Sequence, residues 1–182
     1  MGEKIMEILI TNKDFGLEPV EFTDDVFVRY SARGILLDPA TGKIAVICKK
    51  KINEYKLPGG GREGDETEEE NFYREIMEET GCTAKIIKKL GEVKEERSSL
   101  NVKQTSAVFV AEVVENTGEI HPDEAEIAQG LVLKWMDLDD AIEAVRNSFD
   151  TVLGDEKRST YSAYFVIKRD LSILEAYKAS LN

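Results

Sequence analysis

A dense run of carboxylates lies in the second third of the 182-residue chain. Residues 63–79 contain nine acidic side chains and a single basic one, Arg74. Glu75, Glu78 and Glu79 have the i, i+3, i+4 spacing that places side chains on one face of a helix. Like charges so placed repel one another unless a cation lies over them, and hard carboxylate oxygens suit Mg²⁺ or Mn²⁺. On charge alone, the favoured interpretation is a solvent-exposed helix face in an acidic protein.

A glycine-rich loop precedes the acidic segment. Leu57-Pro58 is followed by three glycines, Gly59–Gly61, a stretch that suits neither a helix interior nor a central strand. Glycine lets the backbone come close to a ligand or a metal ion, and the loop leads the chain towards the start of the acidic helix. Loop and carboxylates together favour a binding site over an exposed helix face.

The segment from Gly60 to Cys82 resembles the Nudix box, G-x5-E-x7-R-E-U-x-E-E-x-G-U, in which U is a bulky apolar residue. The fixed positions are occupied by Gly60, Glu66, Arg74, Glu75, Ile76, Glu78, Glu79 and Gly81, with Cys82 in the last apolar position. Asp65 stands where a glycine is common, at a position that is not expected to bind metal. The resemblance implies an α+β fold, the Nudix α-β-α sandwich, with a mixed sheet and the box folded as a loop-helix-loop.

The resemblance also implies an activity. It is the Mg²⁺-dependent hydrolysis of a diphosphate bond in a nucleoside diphosphate-linked compound, a nucleoside triphosphate or a modified nucleotide. Water activated by the metal would attack phosphorus, and Mn²⁺ is the alternative ion. The implied metal ligands are one backbone carbonyl and three carboxylates, those of Gly60, Glu75, Glu78 and Glu79. Arg74 would complete the catalytic set by orienting a box glutamate through a salt bridge, and Glu66 would support the loop.

A second hypothesis is a Nudix-fold sensor domain that binds a nucleotide or a sugar phosphate without cleaving it. Such domains commonly lose box carboxylates, and here all of them are present. The chain also has no basic region of the kind that a DNA-binding sensor would carry. The intact box therefore favours the hydrolase.

Residues outside the box are expected to contact the substrate and to supply a general base. Candidates for binding phosphate or ribose are Arg29, Arg33 and Arg97, and candidates for stacking on a base are Phe27, Tyr30 and Phe109. Candidates for the general base are Glu95, Glu96, Glu124 and Glu126. Each of them has an ordinary core or surface role as its alternative, and the sequence does not decide between a nucleoside triphosphate, a modified nucleotide and ADP-ribose.

The pattern of apolar residues predicts a mixed sheet with helices on its faces. The predicted strands are Phe27–Leu37, Lys43–Lys49, Thr83–Ile87, Thr105–Val114 and Leu131–Met136. The predicted helices are one capped by Thr67 and ended by Gly81, a second at Leu138–Val145 and an amphipathic third from Ser162 to about Ala179. In the strand Thr105–Val114, the alternation predicts Val108, Val110 and Val114 on one face and Ala107, Phe109, Ala111 and Val113 on the other.

The composition limits the partners and the location. The formal net charge of −12 disfavours binding to a nucleic-acid polymer, and no apolar run approaches the ~20 residues of a membrane span. The first residues lack a signal-peptide pattern, so a cytoplasmic location is expected, with Cys48 and Cys82 reduced and buried. We expect one domain over residues 1–182, with a small phosphorylated molecule, such as a nucleotide, as its ligand.

The two ends of the chain raise the question of assembly. Residues 1–25 form an extension rich in apolar side chains, and residues 162–180 form a similarly apolar C-terminal helix. The extension could be an edge strand of the chain's own sheet, or it could pair with a second subunit, since an unpaired strand edge is a template for pairing. The amount of apolar surface favours a homodimer.

Overall fold

The computed structural model describes residues 5–153 and 160–181. Within these ranges the strands are β1 (Met6–Thr11), β2 (Phe27–Leu37), β3 (Ile44–Lys49), β4 (Glu54–Lys56), β5 (Gly59–Gly61), β6 (Cys82–Arg97), β7 (Val102–Asn116) and β8 (Leu131–Met136). The α-helices are α1 (Glu68–Thr80), α2 (Glu124–Gln129), α3 (Leu138–Leu153) and α4 (Thr160–Ser180). Two short 3₁₀ helices, Asn12–Phe15 and Ser98–Leu100, complete the described elements. No helix in the described part of the chain combines the length and apolarity needed to cross a membrane.

All the strands belong to one mixed sheet, as the resemblance implied. Its central path runs β1-β6-β7-β2-β3-β4, while β5 pairs with β2 and β8 pairs with β3. The pairs β1–β6 and β2–β7 are parallel, and the other pairs are antiparallel. The strand β6 is much longer than the predicted Thr83–Ile87 and extends to Arg97.

Helices cover both faces of the sheet, which confirms the α-β-α sandwich. On one face, Phe72 and Ile76 of α1 pack with Phe109 of β7 in one apolar cluster. On the other face, α3 and α4 cover a larger cluster that includes Val108 and Val110 of the same strand. The predicted alternation along β7 is therefore confirmed, although Val114 lies beyond both cores and is 67% exposed.

The helix of the box begins and ends where the sequence predicts. The side chain of Thr67 accepts a hydrogen bond from the backbone N–H of Glu70, and the Glu70 carboxylate accepts one from the N–H of Thr67. This reciprocal cap satisfies two of the donors that a helix start leaves unpaired. At the other end Gly81 has a φ of 67°, and a side chain there would collide with the backbone of Glu119. The position and length of α1 are thus fixed by local sequence.

The N-terminal extension supplies an edge strand of the chain's own sheet. β1 runs parallel to β6, with Met6 paired to Gly91. A side chain at Gly91, whose φ is 155°, would overlap the carbonyl of Met6, so only glycine allows this close approach. Ile10 is fully buried, whereas Leu9 faces away from the core and is 57% exposed. Of the two alternatives for this segment, pairing with its own sheet is the one observed.

The C-terminal helix is not amphipathic, contrary to the prediction. The buried residues of α4 lie on several sides of the helix: Ala163, Phe165, Ile167, Arg169, Asp170, Leu171, Ile173, Leu174 and Tyr177. The reason is that α4 packs between α3 and the strands β1, β4 and β6. Its apolar side chains are covered within the chain and require no second subunit. α3 is also longer than predicted, since it continues past Val145 to Leu153.

Candidate active site

A cleft of about 670 Å³ lies where the glycine loop, α1, β2 and α2 meet. Its acidic side chains are Glu63, Glu75, Glu78, Glu79, Asp123 and Glu126. Its basic side chains are Arg29, Arg33, Lys56, Arg62 and Arg74, and Phe27 and His121 also line it. A cleft with both signs of charge can hold a cation and an anion together, as a metal–phosphate complex requires.

The glycine loop allows three close approaches in succession. Gly59 has a φ of 133° and lies against β2, where a side chain would collide with Arg33. At Gly60, a side chain would lie 2.5 Å from a carboxylate oxygen of Glu75, and at Gly61 it would lie 2.8 Å from the guanidinium of Arg29. The acidic group of Glu75 and the basic group of Arg29 therefore lie against two neighbouring glycines, which have no side chains to keep them away.

Arg74 joins the helix to the loop. Its Nε lies 2.7 Å from Glu66, and one terminal nitrogen lies 3.0 Å from both Glu75 and Glu78. The other terminal nitrogen donates to the carbonyl oxygen of Gly61 at 2.9 Å. The hydrogen bond from Arg74 lowers the pKa of the Glu66 carboxyl below its usual value. The salt bridges expected from Arg74 to a box glutamate, and the support of the loop by Glu66, are both present in this geometry.

Glu79 is held differently, by a lysine. One of its oxygens lies 2.5 Å from the ammonium of Lys56, and the other accepts a hydrogen bond from the backbone N–H of Gly59 at 2.7 Å. The same ammonium lies 3.4 Å from Glu126 of α2. Burial raises the pKa of Glu126, and the neighbouring carboxyl group of Glu79 raises it further, whereas Lys56 lowers it. Nothing in the local sequence around Lys56 indicated this contact.

A loop between β7 and α2 closes the cleft from the far side. The backbone N–H and the hydroxyl of Thr117 both donate to the carbonyl of Gly81, and the N–H of His121 donates to the carbonyl of Glu78 at 2.7 Å. The loop is thus tied to the last turn of α1, and it brings His121 and Asp123 to the box glutamates. Sequence reasoning missed both residues, although Asp123 and Glu126 form a helix cap that was readable as D-x-x-E.

Behind the cleft, a buried network of charges connects α4 to the glycine loop. Asp170 accepts hydrogen bonds from Arg169 at 2.7 Å and from the backbone N–H of Leu57 at 2.9 Å. Arg33 donates to the carbonyl of the same Leu57 and lies 4.0 Å from Asp170. Arg169 also contacts Glu95 at 3.4 Å. Both backbone groups of Leu57 are therefore held by buried side chains, and the loop that follows is anchored.

Comparison with known proteins identifies the family. Residues 28–154 match the family model described as NUDIX domain. The chain belongs to the Nudix hydrolase family. A curated relative, the 8-oxo-(d)GTP phosphatase of Mycolicibacterium smegmatis, is 44% identical over 55 residues. That match spans 30% of this chain and only 17% of the relative's length.

Solved structures agree with the Nudix fold. A NUDIX hydrolase from Nitrosomonas europaea aligns with a TM-score of 0.58 and 16% identity, covering 84% of this chain and 89% of that one. A MutT protein from Methanosarcina mazei aligns with a TM-score of 0.50 and 21% identity, covering 81% and 95%. At these identities the likeness concerns the fold alone.

The Nudix box offers the right donors for a divalent cation, but the protein's own cations hold them. Glu75 and Glu78 face Arg74, and Glu79 faces Lys56 and Gly59. Within the described ranges, no three acidic, histidine or cysteine side chains are assembled closely enough to hold a metal ion as they stand. Burial raises the pKa of Glu75, whereas the charge of Arg74 lowers it. The oxygen donors thus suit Mg²⁺ or Mn²⁺, and binding requires some of these contacts to rearrange.

The three arginines proposed for substrate binding occupy different places. Arg29 and Arg33 line the cleft, while Arg97 does not. The guanidinium of Arg97 is committed to Glu95 at 2.7 Å and lies over the ring of Phe165. Arg33 is only 6% exposed, and its Nε has no hydrogen-bond partner among the described residues. Burial, together with the nearby Arg169, lowers the pKa of Arg33 to about 10.

The three aromatic residues that were candidates for stacking on a base also lie in different environments. Phe27 lines the cleft and is 62% exposed, so its ring is free to meet a base. The ring of Tyr30 lies beneath the guanidinium of Arg62, whose central carbon is 5.2 Å from the ring centroid. Phe109 is buried in the core against Phe72 and cannot reach a ligand. Its assignment as a stacking residue was therefore wrong, because it lies on the face of β7 that α1 covers.

Of the four candidates for a general base, one lies in the cleft. Glu126 lines it beside Glu79, whereas Glu124 does not line it. Glu95 is 1% exposed and belongs to the network behind the cleft, and Glu96 pairs with Lys103 on the surface at 3.4 Å. A base must lie within reach of the attacking water, directly or through one intervening water. Position therefore favours Glu126.

Proposed function

We propose that this Nudix family member hydrolyses a diphosphate bond in a nucleotide, with Mg²⁺ as the required ion and Mn²⁺ as its substitute. The proposal treats residues 1–182 as one catalytic unit located in the cytoplasm. The observation that carries it is the complete box folded around one cleft, with Glu75 against Gly60 and Arg29 against Gly61. An acidic and a basic side chain thus lie side by side against the glycine loop.

The proposed roles follow from position. Glu75, Glu78, Glu79 and the carbonyl of Gly60 would hold the cation, which neutralises the diphosphate and activates the attacking water. Arg74 keeps the carboxylates of Glu75 and Glu78 oriented through bonds of 3.0 Å each. These are positioning contacts, and their value lies in fixing geometry before the substrate arrives.

Arg29 and Arg33 would bind the phosphate oxygens that the cation leaves uncovered. The guanidinium of Arg29 lies beside Gly61, and that of Arg33 is buried in the wall with an unused N–H. A buried guanidinium is only weakly screened by water, so it attracts an anion more strongly than a surface arginine does. Phe27 would stack on the base, and Glu126 would take the proton from the attacking water.

The substrate class that we propose is a nucleoside triphosphate, including a modified purine nucleotide. Support comes from the 55-residue match to a protein named 8-oxo-(d)GTP phosphatase. An exposed aromatic ring at the cleft mouth accepts any base, so Phe27 does not by itself select among them.

The decisive experiment is a hydrolysis screen in ¹⁸O-labelled water. The purified protein is incubated with Mg²⁺ and nucleoside triphosphates, 8-oxo-guanine nucleotides, ADP-ribose and other nucleoside diphosphate derivatives, and products are identified by mass spectrometry. We expect cleavage of a phosphoanhydride bond, with the label in one product phosphate and no cleavage in excess chelator.

Binding of the same nucleotides is measured in parallel by calorimetry. Tight binding without any turnover would replace the hydrolase by the non-catalytic sensor. If the protein neither binds nor hydrolyses any compound of the panel, the proposal is refuted.

A further inference from the structure

The contact between Lys56 and Glu79 is more specialised than an ordinary salt bridge. Lys56 ends the short strand β4, and its ammonium points into the cleft between Glu79 and Glu126. The Lys56 side chain is 11% exposed, and that of Glu79 is 3% exposed. With Gly59 on its second oxygen, Glu79 has both oxygens committed to partners from the protein. A cation of the protein therefore lies at the carboxylate that the box implies as a metal ligand.

Lys56 differs from the other cation that holds box glutamates. Arg74 makes a branched set of contacts, including one to the carbonyl of Gly61, and removing it would break several contacts between the helix and the loop. The ammonium of Lys56 is hydrogen-bonded, within the described residues, to Glu79 and Glu126 alone. A lysine also carries a compact charge on a flexible stem, whereas arginine is a rigid fork. Lys56 can therefore leave without breaking any backbone contact.

We infer that Lys56 is an exchangeable counter-ion: it neutralises Glu79 in the metal-free cleft and is displaced when a divalent cation binds there. The inference rests on the proposed function, because it concerns the same metal site. The ammonium lies on one oxygen of Glu79 and the N–H of Gly59 on the other, so a divalent cation bound to this carboxylate would lie directly beside the ammonium, and two cations at that distance repel strongly where little water screens them. A divalent cation at Glu79 therefore expels the ammonium.

The displaced ammonium has a second use in the same cleft. Lys56 lines the cleft together with Arg29 and Arg33, the two residues proposed to bind phosphate, so a released lysine adds its charge to theirs. Metal binding would thereby convert Lys56 from a partner of Glu79 into a partner of phosphate. Lys56 would then be a positioning residue that couples the binding of the metal ion to the binding of the anion.

The first test measures metal binding directly. Mn²⁺ affinity is determined by electron paramagnetic resonance of the free ion, without nucleotide, for the wild type and for Lys56→Met, which keeps the length and removes the charge. We expect the variant to bind Mn²⁺ about tenfold more tightly or better, because the competing cation is gone. Lys89→Met is the matched control: it removes the same charge from a lysine that pairs with Glu68 and Glu92 and does not line the cleft.

A second readout follows the ammonium itself in the wild-type protein. Acetylation of Lys56 and Lys89 by a limiting reagent is quantified by peptide mass spectrometry with and without Mg²⁺. Release from Glu79 predicts faster acetylation of Lys56 on addition of Mg²⁺, with Lys89 unchanged. Equal or slower acetylation would show that the ammonium stays on Glu79 and would overturn the inference.

The outcomes separate this inference from the proposed function. If Lys56→Met changes Mn²⁺ affinity no more than Lys89→Met does, while the wild type still hydrolyses nucleotides, only the exchange of Lys56 is refuted. If neither the wild type nor Lys56→Met binds Mn²⁺, both the exchange and the metal-dependent function fall. Should Lys56→Met be poorly folded, the acetylation experiment on the wild type decides alone.

Discussion

Replacing Asp170 with alanine tests whether the buried network behind the cleft holds the structure together. The Asp170 side chain is fully buried and accepts hydrogen bonds from Arg169 at 2.7 Å and from Leu57 at 2.9 Å. Among the described residues, its removal leaves Arg169 with the longer contact to Glu95 at 3.4 Å as its remaining ion pair, and it removes the carboxylate that faces Arg33. Positive charges would then remain buried without their nearest acid.

The expected cost follows from this burial. Deleting one partner of a buried ion pair costs about 3–5 kcal/mol, because the other charge stays in a poorly polarisable interior. For a chain of this size each kcal/mol lowers the melting temperature by about 2–4 °C, so we expect a fall of about 6–20 °C. The same helix provides a matched control, since Glu175 pairs with Arg146 at 3.0 Å with both side chains about half exposed. Glu175→Ala should cost no more than about 1 kcal/mol.

The assay is urea unfolding at pH 7 followed by circular dichroism, with thermal melts of the same samples. Asp170→Asn is included because an amide can still accept the N–H of Leu57 while it lacks the negative charge. We expect Asn to be less costly than Ala, yet more costly than the change at Glu175. If Asp170→Ala loses no more stability than Glu175→Ala, the network does not anchor α4 and the reasoning fails.

Four further predictions concern catalysis, pH and assembly. Glu78→Gln should lower kcat by about a thousandfold or more with the fold unchanged, whereas Glu69→Gln, on an exposed part of the same helix, should retain activity; a fully active Glu78→Gln enzyme would remove that residue from the site. The rate should rise towards alkaline pH, because hydroxide is the attacking species, and a sharp acidic optimum in a pH–rate profile would contradict this. Burial raises the pKa of Asp170, but the charges of Arg169 and Arg33 outweigh burial and hold that pKa below 3.8. The ionised Asp170 therefore stabilises the fold fully above pH 3.8, and this stabilisation is lost as the pH falls through the lowered pKa. Acid unfolding of the wild type and of Asp170→Asn would measure the loss. β1 lies at the edge of the sheet, and we propose that this edge pairs with a second copy of the chain: the homodimer should appear in light scattering at micromolar concentration and disappear in a chain that starts near Asp24, a monomeric full chain would rule it out, and dimers of both would place the interface elsewhere.

The sequence predicted those parts of the fold whose signals are local. Thr67, Glu70 and Gly81 determine where α1 begins and ends, and the alternation along β7 separates its two faces. The glycine loop and the box carboxylates are also adjacent in the chain, so their proximity needed no tertiary information.

The missed features depend on contacts between distant residues. Beyond Ile87, where the predicted strand ended, β6 is rich in lysine and glutamate, which disguised a strand that lies between β1 and β7. Arg169 and Asp170 lie in the helix that was predicted to be amphipathic, and charged side chains of such a helix usually face water. They are buried because Glu95 and Arg33, far away in sequence, supply the matching charges. Lys56 and His121 reach the cleft for the same kind of reason.

The anchoring of Leu57 by Asp170 also bears on how the protein matures during synthesis. The two residues are 113 positions apart, and ribosomes add about 5–20 residues per second, so the loop is made roughly 6–23 s before its anchor. During that interval Arg33 lacks the carboxylate that faces it in the finished protein, and the N–H of Leu57 lacks its acceptor. A nascent chain that already contains the whole box therefore has a loose glycine loop. The final geometry of the cleft is therefore acquired late, when α4 has left the ribosome and docked.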